Sequence, residues 1–522
     1  MKGFHALLLE IPFLLTANTT VKVSLQIEQK KTIGIFLLFI ILSTKLFASF
    51  EVNENCITAY NKIIALRFEE GKTLLNNEKV INPKNDIPYF LENYIDFLTL
   101  FISENKKDFD KLKDNMDKRL DRMERGESNS PFYLYTQAEI YLQWAIVKIK
   151  FKEYVSAAFD LKKALELLTY NNEKYPLFKA NNKGLGFLHA IAGAVPENYK
   201  WVAKLVGVKG TINQGVNELK DLLTFVNNSE YKYLHDEVLF ILALVEWNLQ
   251  KDEEEAQKLL QNPDFNLSAN PFLLLAKATI AMKTNHNDDA IQLLVNRPHE
   301  KECYPFYYLD FMTGVAKLNR LDADAGIYFT NYLTNFKGQN YIKTAWQKLA
   351  WIALMNKDTI NYKEDIKQCI VFGDDNVDED KDALKEATNG EIPNIALLKA
   401  RLLCDGGYYE RSIAEIAGMK PGDFTRLKDQ LEVTYRMGRI FHRTNDFDKA
   451  LDYYEQTLKN GVHFTYYFAA NSALQIASIY EKQGNKDKAI HYYQTCLAMR
   501  NHDYQNSIDQ KAEAGLDRLG GK

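Results

Sequence analysis

Two arginines, Arg439 and Arg443, flank His442 near the C-terminus of the chain. A guanidinium group binds a carboxylate through paired, charge-assisted hydrogen bonds, so residues of this kind can hold an acidic group. The cluster therefore predicts a basic binding surface. The alternative is a charged helix face that is only solvated.

Three other motifs resemble ligand sites but lack essential residues. Gly71-Lys72-Thr73 resembles the end of a phosphate-binding loop, yet Leu66 stands where that loop needs its first glycine. Gly184-Leu185-Gly186 lacks the third glycine of a dinucleotide-binding fingerprint. The acidic run 374–380 lacks the turn glycine of a calcium loop, and Lys385 replaces its bidentate glutamate. We therefore predict an acidic loop before a helix there, and no nucleotide or calcium site.

The histidines and cysteines show no metal or disulfide pattern. The nine histidines do not fall in a paired metal-binding spacing, and the five cysteines are dispersed along the chain. No metal, cofactor or catalytic constellation is predicted, and the chain is interpreted as a non-enzyme. The alternative is an enzyme that uses polar residues around a glycine-rich stretch, namely His189, Glu197, Asn198, Tyr199, Lys200 and Lys209.

The composition is that of a soluble globular chain. Hydrophobic residues make up 46% and charged residues 26% of its 522 residues. The net charge of −4 gives no general attraction to nucleic acid or anionic lipid, so no nucleic-acid partner is predicted. Tyrosine and phenylalanine, with 30 residues each, outnumber the 12 prolines, which favours long helices packed through large aromatic side chains.

The N-terminal segment has the pattern of a secretory signal peptide. Lys30 and Lys31 precede the apolar run 33–42, and Ala48 and Ser49 provide small residues for cleavage. The run is short for a membrane span, which needs about 20 residues. We expect export to the periplasm or cell envelope, with cleavage near Ala48 and Ser49. The alternative is an uncleaved segment that anchors the protein in the inner membrane.

A second apolar run, 6–15, lies ahead of Lys30 and is unusual before a signal peptide. We interpret the true start of translation as lying near Val23–Ile27. N-terminal sequencing of the mature protein would contradict this interpretation by finding residues upstream of Lys30.

Apolar residues recur at three- and four-residue spacing along most of the remaining chain, which predicts amphipathic helices. The segment 55–75 is predicted as one helix, and 132–149 with 154–168 as a strong helix pair. Further helix pairs are predicted between residues 235 and 416. The predicted fold class is all-α.

The clearest internal repeat is at the C-terminus, where 438–458 aligns with 477–497 at an offset of 39 residues. The small and aromatic positions are Gly438, Phe441, Ala450 and Tyr454 in the first copy and Ala477, Tyr480, Ala489 and Tyr493 in the second. With these residues the chain resembles the tetratricopeptide repeat family. The small residues would let two helices approach, and the aromatic residues would fill the gap to the next repeat.

The resemblance implies a right-handed superhelix, an α-solenoid of helix-turn-helix repeats. On the repeat template, Tyr435, Arg439, His442 and Arg443 fall on the concave side, where tetratricopeptide proteins bind peptides. They are the predicted peptide-binding groove, for an acidic peptide or a carboxylate terminus. The implied partners are other proteins or peptides.

The stretch 182–223 interrupts the helix pairs with six glycines and Pro196. Glycines among otherwise uninterrupted helices indicate close backbone approach. We predict two apolar helices, about 187–195 and 199–206, packed closely against neighbouring pairs and followed by a helix over 212–225. The favoured interpretation is a buried part of the core, and the alternative is an exposed docking surface.

The same stretch resembles a segment of the tetratricopeptide-repeat-39 and mitochondrial inclusion-clearance family. The matching residues are Gly184, Gly186, Phe187, Pro196, Gly207, Gly210, Gly215 and Leu219. The resemblance covers about 40 residues, and the secretory start differs from those intracellular proteins. It implies a shared structural insert and no shared biological role.

Five segments are predicted: a targeting segment (1–49, with the signal core at 30–49), N-terminal helical repeats (50–180), a glycine-rich helical insert (181–230), degenerate repeats (231–420) and a pair of clear repeats (421–522). The predicted function is an exported, non-enzymatic scaffold for protein–protein interaction in the bacterial cell envelope. The alternatives are an inner-membrane-anchored assembly factor and an enzyme. Self-association through aromatic residues of the final repeats is a further alternative.

Overall fold

The structure is a computed structural model that describes residues 49–194, 207, 209–261, 270–298 and 300–520. Within these ranges the regular secondary structure is helical, and no β-strand occurs. The chain divides into two compact units: unit 1 comprises residues 1–276 with 298–306, and unit 2 comprises 277–297 with 307–522. The predicted all-α solenoid of helix pairs is confirmed. The boundaries of the five predicted segments stay predictions.

The helices of unit 1 pack mainly against their neighbours in sequence. They are α1 (Glu54–Ile64), α2 (Phe68–Ile81), α3 (Ile87–Ser103), α4 (Lys106–Leu112), α5 (Asn115–Glu124), α6 (Pro131–Lys150), α7 (Tyr154–Lys174), α8 (Asn181–Ala194), α9 (Ile212–Asn227), α10 (His235–Val245), α11 (Glu253–Leu259) and the first part of α12 (Pro271–Lys283). A 3₁₀ turn, Glu230–Leu234, precedes α10, and a π-helical turn, Glu246–Gln250, follows it.

The helices of unit 2 follow the same pattern of sequential pairs. They are the end of α12, then α13 (Asn287–Val295), α14 (Tyr308–Asn319), α15 (Ala325–Asn335), α16 (Ile342–Met355), α17 (Thr359–Val371), α18 (Asp378–Asn389), α19 (Ile395–Asp405), α20 (Tyr409–Ile416), α21 (Leu427–Arg443), α22 (Phe447–Gly461), α23 (Phe468–Lys482), α24 (Lys486–Ala498) and α25 (Gln505–Leu519). A 3₁₀ turn, Pro421–Asp423, precedes α21.

The prediction of one helix over 55–75 is wrong, because the structure has two helices there. α1 ends at Ile64 and α2 begins at Phe68. Between them Leu66 has a φ of 62°, and its side chain is buried. The side chain therefore continues the apolar periodicity while the backbone turns, so the sequence pattern alone does not reveal the break.

The glycine-rich stretch contributes to the core of unit 1. α8 covers most of the first predicted apolar helix, and α9 matches the helix predicted over 212–225. Within α8 the side chains of Leu185, Phe187 and Leu188 are buried, which confirms the interpretation as part of the core for this helix. The second predicted helix, 199–206, lies outside the described residues.

Two glycines set how closely α8 and α9 approach. A Cβ atom on Gly215 would lie 2.6 Å from the backbone nitrogen of Ala190, and closer still to the carbonyl oxygen of Gly186. Because backbone atoms cannot move aside as a flexible side chain can, any larger residue at position 215 would push the helices apart. The predicted close packing through glycines is confirmed at this contact.

The C-terminal repeats pack as their small residues predict. A Cβ atom on Gly438 of α21 would lie 2.7 Å from the ring of Tyr454 on α22, so the ring fills the space that glycine leaves. Ala450, Ala477 and Ala489 have no exposed surface. These small residues allow the two helices of each pair to pack closely around the aromatic side chains.

The first helices of successive pairs in unit 2 lie side by side. α14 and α16 contact α19, α19 contacts α21, and α21 contacts α23. Polar side chains on this row of helices therefore lie near one another although they are distant in the sequence. The row positions the residues of the candidate site.

Candidate functional site

Tyr435 of the predicted groove is a core residue. Its side chain is 3% exposed, and its ring centroid lies 6.2 Å from Tyr454, 5.5 Å from Tyr467 and 5.2 Å from Phe468. Burial raises the pKa of the Tyr435 hydroxyl, so it stays protonated. Tyr435 therefore holds α21 against α22 and α23 and offers little surface to a ligand.

Arg439 forms an ion pair with the neighbouring helix of the row. Its guanidinium donates to Asp405 Oδ1 of α19 at 3.0 Å, and the two side chains are 24% and 36% exposed. Desolvation opposes the ionisation of Asp405, but Arg439 and Arg401 lower the pKa of its carboxyl to about 2. Because the carboxylate stays charged at physiological pH, Arg439 keeps a partner inside the protein and is only partly free for a ligand.

His442 and Arg443 differ in what they offer. The ring of His442 packs edge-on against Phe447 at 5.9 Å and Tyr454 at 6.0 Å. Burial, then the charges of Arg443 and Lys482, lower the pKa of His442 to about 4, so it is neutral at pH 7. Arg443 is exposed, and no carboxylate lies within ion-pair distance of it in the described part of the chain. Of the four predicted residues, the two arginines supply the positive charge.

Charged and aromatic side chains extend this site along the first helices of the pairs, and we call them the polar row. They are Lys348 and Trp351 of α16, Arg401 and Asp405 of α19, and Glu432, Arg436 and Arg439 of α21. Arg436 donates to Glu432 Oε1 at 2.6 Å, and the two side chains are 3% and 15% exposed. Arg401 lies 3.8 Å from Asp405. The row contains both positive and negative side chains, and Arg401, Asp405 and Arg439 keep exposed surface that a charged ligand can contact.

Sequence reasoning missed the part of the polar row that lies on α16 and α19. One signal was present, because Arg401 with Asp405 and Glu432 with Arg436 are opposite charges four residues apart. The repeat pattern upstream of α21 is degenerate, however, so it does not show which face of α16 or α19 lines up with Arg439.

The polar residues proposed for an enzyme are only partly described by the structure. His189 Nδ1 lies 2.6 Å from Glu218 Oε2 and 2.9 Å from Gln214 Nε2, so its ring nitrogen has partners on α9. Lys209 is exposed. The four remaining members of the set, 197–200, lie outside the described residues. The structure thus places His189 at the contact of α8 with α9 and does not bring the set together.

Unit 1 contains a buried polar cluster that the sequence did not predict. The ammonium group of Lys183, on α8, lies 2.8 Å from Glu139 Oε2 and 3.0 Å from Glu237 Oε1, and it donates to the hydroxyl of Tyr94 at 2.8 Å. Tyr60 donates to Glu237 Oε2 at 2.6 Å. Lys183 and Glu139 are each 2% exposed. The cluster joins α1, α3, α6, α8 and α10, and every proton of the ammonium group has an acceptor.

The ammonium group of Lys183 and the carboxylates of this cluster attract one another. Burial acts against the charge of Lys183, but Glu139 and Glu237 raise the pKa of its ammonium group well above the usual value. Burial also raises the pKa of Glu139, and Lys183 opposes that effect. A cavity of about 20 Å³, lined by Tyr60, Tyr94 and apolar side chains, lies beside the cluster and has room for about one water molecule. The cluster therefore has the features of a buried ion-pair network that holds these helices together.

The weak motifs have structural roles. Gly71 of the Gly-Lys-Thr triplet lies inside α2, where a Cβ atom would be 2.7 Å from Ile63 Cγ1. Asp380 of the acidic run is buried and accepts from the backbone nitrogens of Tyr341 at 2.5 Å and Thr344 at 2.8 Å. It thereby caps the start of α16. In the ranges that the structure covers, no group of three or more potential metal ligands is arranged to hold an ion.

Across the same described ranges, no helix combines the length and the apolar surface needed to cross a membrane. The predicted signal-peptide core falls on residues that the structure does not describe. The export and anchoring predictions therefore stay predictions.

Comparison with known proteins gives one family match. The family described as "Tetratricopeptide repeat" matches residues 429–502. No curated protein matches the chain. A chain from the structure of Naa15/Naa10 bound to HypK-THB is 13% identical, with a TM-score of 0.23, over 89% of this chain and 66% of that one. A chain of the APC/C hetero-tetramer Cut9-Hcn1 is 12% identical, with a TM-score of 0.21, over 89% and 99% of the two chains.

This chain spans just under two thirds of the first of those two structures, and similarities at such TM-scores carry no functional argument. The family match covers the helices whose packing of small against aromatic residues is described above. Residues 429–502, from α21 to the turn after α24, are therefore tetratricopeptide repeats.

Proposed function

We propose that the protein is an exported, non-enzymatic scaffold that binds protein partners in the bacterial cell envelope. The observation that carries this proposal is the tetratricopeptide repeat match at 429–502 within a chain of stacked helix pairs. Repeat proteins of this kind use extended surfaces to bind other proteins. The basic start, apolar run and small residues of 30–49 support export.

The partner surface is proposed to lie along α21, where Arg439 and Arg443 supply positive charge. Arg443 is exposed and lacks an internal carboxylate partner among the described residues, so its guanidinium is available to an acidic side chain or a terminal carboxylate. Arg439 contributes with Asp405 as a pair that an incoming carboxylate would share. Tyr435 and His442 support this face from within, through their packing against aromatic rings.

The test is crosslinking and pull-down from native envelopes with variants of this surface. We expect Arg443→Glu to abolish capture of the partners that the natural chain retains. Arg439→Glu would also place a second carboxylate beside Asp405, so Arg439→Gln is the cleaner second change. The control reverses two exposed charges on second helices, Lys459→Glu and Lys486→Glu, and is expected to leave capture intact. Equal capture by all variants would exclude this surface.

The rival proposal is a scaffold held in the inner membrane by its uncleaved N-terminal segment. Fractionation with and without an alkaline wash separates the two, because a peripheral or soluble protein is released by the wash and an anchored one is retained. N-terminal sequencing of the released protein gives a second decision, since cleavage near Ala48 leaves a mature chain that begins close to Ser49.

We also propose that 182–223 is a structural element related to the segment of the tetratricopeptide-repeat-39 and inclusion-clearance family that it resembles. Supporting this, Gly186 and Gly215 lie where α8 and α9 touch backbone to backbone. The proposal concerns only how the two segments pack and implies no shared biological role. Substitution of the matching glycines in a member of that family should destabilise it as the same changes destabilise this chain.

A further inference from the structure

One face of α17 in unit 2 presents apolar side chains to solvent. Ile360, near the start of the helix, is 71% exposed, and Val371, its last residue, is 68% exposed. Ile370 and Phe372 are exposed beside Val371. Side chains of these types are usually buried, and apolar surface that is concentrated on one helix marks a place where another surface binds.

The exposed residues form a regular stripe along α17, which we call the α17 seam. The seam consists of Ile360, Glu364, Lys367 and Val371, at spacings of four, three and four residues. With 3.6 residues per turn, these spacings place the four side chains within about 60° of the helix circumference. Both charged side chains are exposed as well. Alternating spacings of three and four residues are those of the positions through which two helices pack as a coiled coil.

The opposite face of α17 anchors the helix in unit 2. Tyr362 and Cys369 lie on that face, and their side chains are buried. Two contacts join the end of α17 to α16: Lys343 Nζ donates to the carbonyl oxygen of Cys369 at 2.7 Å, and Cys369 Sγ lies 3.2 Å from the carbonyl oxygen of Lys343. Because the helix is folded and fixed before any partner arrives, a helix that binds the seam meets an ordered surface.

The two charges of the seam have no counterion inside the protein. Among the residues that the structure describes, neither Glu364 nor Lys367 forms an ion pair. If two copies of the seam met in parallel, each charge would face its own kind and the copies would repel each other. In the antiparallel direction, Glu364 of each copy faces Lys367 of the other, and Ile360 faces Val371. The seam is therefore complementary to itself in one orientation.

We propose that the α17 seam binds the same seam of a second copy of this chain, with the two helices antiparallel about a two-fold axis. Such an interface is isologous, so each contact occurs twice. Ile360 packs against Val371 of the second copy at both ends of the seam. Glu364 pairs with Lys367 of the second copy at its centre, which gives each of these charges the counterion that it lacks within its own chain.

One pair of 13-residue helices makes a small interface. It buries less than the about 1,200 Å² of stable complexes, so we expect a weak dimer with a dissociation constant of about 10–100 µM. The inference does not depend on the proposed function, because the seam lies on α17 and the proposed partner surface lies on α21. The dimer presents that partner surface twice.

The test is sedimentation velocity of the full chain at concentrations from about 1 to 200 µM, over which the dimer fraction should rise. Glu364→Lys opposes lysines at both central contacts, and Lys367→Glu opposes glutamates. Each of these variants should therefore self-associate at least about tenfold more weakly than the natural chain. The double variant with both substitutions exchanges the two charges and keeps their complementarity, so it should dimerise as the natural chain does.

The matched control is Lys459→Glu, which makes the same change of charge on an exposed lysine of α22. It should dimerise as the natural chain does. Thermal unfolding followed by circular dichroism verifies that each variant is folded, and recovery of the dimer in the double variant shows that the single changes act through charge.

Cysteine crosslinking tests the orientation. In the antiparallel dimer the two copies of position 360 lie about 16 Å apart, whereas a disulfide needs Cα atoms within about 7 Å. Oxidation of a mixture of Ile360→Cys and Val371→Cys chains should therefore give a linked dimer. Each variant alone should give no more linked dimer than the natural chain, whose own cysteines serve as the control.

Three results would overturn the inference. They are a natural chain that stays monomeric throughout the concentration range, dimerisation that both single charge variants leave unchanged, and crosslinking of Ile360→Cys chains on their own. A monomeric natural chain whose partner capture is lost in Lys367→Glu would assign the seam to a different protein.

The outcomes are independent of the partner surface on α21. Loss of partner capture in Arg443→Glu, with dimerisation intact, supports both proposals. Intact capture in Arg443→Glu excludes the α21 surface and leaves the dimer standing, whereas a monomeric natural chain excludes the dimer and leaves the α21 surface standing.

Discussion

Lys183 of unit 1 and Lys348 of unit 2 are two lysines beside aromatic rings with opposite surroundings. Lys183 lies between the carboxylates of Glu139 and Glu237, which raise its pKa. Lys348 donates to the neutral amide of Gln347, and burial, followed by the charge of Arg401, lowers its pKa to about 7. The difference shows how one residue type serves two purposes. A lysine with every donor occupied joins helices, whereas one without a counterion changes its charge near neutral pH.

The two environments also predict different energetic consequences. A buried ion pair contributes little net stability, but breaking it leaves an uncompensated charge in the core. A partly buried cation without a counterion, such as Lys348, is itself unfavourable, so removing its charge should be stabilising. Lysine-to-methionine substitutions keep the aliphatic part of the side chain and therefore test the charge alone.

Lys183→Met should have the largest effect. It leaves Glu139 and Glu237 in the core without their cation, which should reduce the free energy of unfolding by about 3–5 kcal/mol. The defect should be smaller at pH 5 than at pH 8, because the raised folded-state pKa of Glu139 favours protonation of its stranded carboxyl group, so stability falls as pH rises. Urea unfolding at both pH values measures this, and hydrogen exchange of α8 amides localises it.

Restoring the original net charge of the cluster should rescue much of that loss. The double variant Lys183→Met with Glu139→Gln removes one cation and one anion together, so it should be more stable at pH 8 than Lys183→Met alone. A Lys183→Met chain as stable as the natural one would contradict the structural role of the cluster and end the contrast with Lys348.

Gly215→Ala should have the next largest effect, because Gly215 lies where the backbones of α8 and α9 touch. The added Cβ would meet the backbone of Ala190 and Gly186, and the helices must separate, at a cost of about 2–4 kcal/mol. Gly326→Ala is the matched control on α15. Its nearest neighbours would lie 3.6 and 3.7 Å away, which is ordinary contact, so alanine should be neutral or slightly stabilising. Equal thermal midpoints for both variants would contradict the close-approach argument.

A packing feature could be predicted from the sequence when the residues that produce it lie close together in the chain. The C-terminal repeats were predictable because Gly438, Ala450 and Tyr454 keep their types at fixed spacing within one helix pair. A close helix contact such as that of α8 with α9 was predictable, because clustered glycines among helices indicate close backbone approach. The break at Leu66 was not, because a buried leucine continues the periodicity whatever its backbone does.

The ion networks could not be predicted for a different reason. Lys183 gives no sequence sign that its partners lie on α6 and α10, and pairing over such separations is decided by the stacking of helices. The same holds for Lys348 and Arg401. In the predicted groove the two arginines supply the positive charge, whereas the burial of Tyr435 and the neutrality of His442 follow only from their packing.

Lys348→Met should have the opposite sign to Lys183→Met. The folded-state pKa of about 7 lies below the unfolded value, so the natural chain gains stability as pH rises above 7 and is penalised below it. Removing the charge should stabilise the folded chain by about 1–3 kcal/mol at pH 6.5, since losing the cation–π contact of Lys348 with Trp351, 3.6 Å from the ring centroid, offsets part of the gain. Denaturant unfolding between pH 6.5 and 9.5 measures this. A loss of stability at pH 6.5 would show that Lys348 has a structural counterion.

The smallest effect is expected for substitution of His442. Its surroundings, like those of Lys348, disfavour the positively charged form of the side chain. Its folded-state pKa of about 4 lies below the usual 6.5, so the unfolded chain binds the proton first and stability falls as pH drops from 6.5 toward 4. His442→Leu keeps an apolar contact with Phe447 and Tyr454 and cannot protonate. At pH 7.5 the two chains should be within about 0.5 kcal/mol, and at pH 5 the variant should be more stable by about 1–2 kcal/mol.

Denaturant unfolding at the two pH values measures this difference, with His491→Leu as the control on α24. An equal acid response of His442→Leu and the natural chain would mean that the imidazole is accessible and charged. His442 would then join Arg439 and Arg443 as a third positive group on the α21 surface, and the contrast between cations with and without a counterion would be confined to the two lysines.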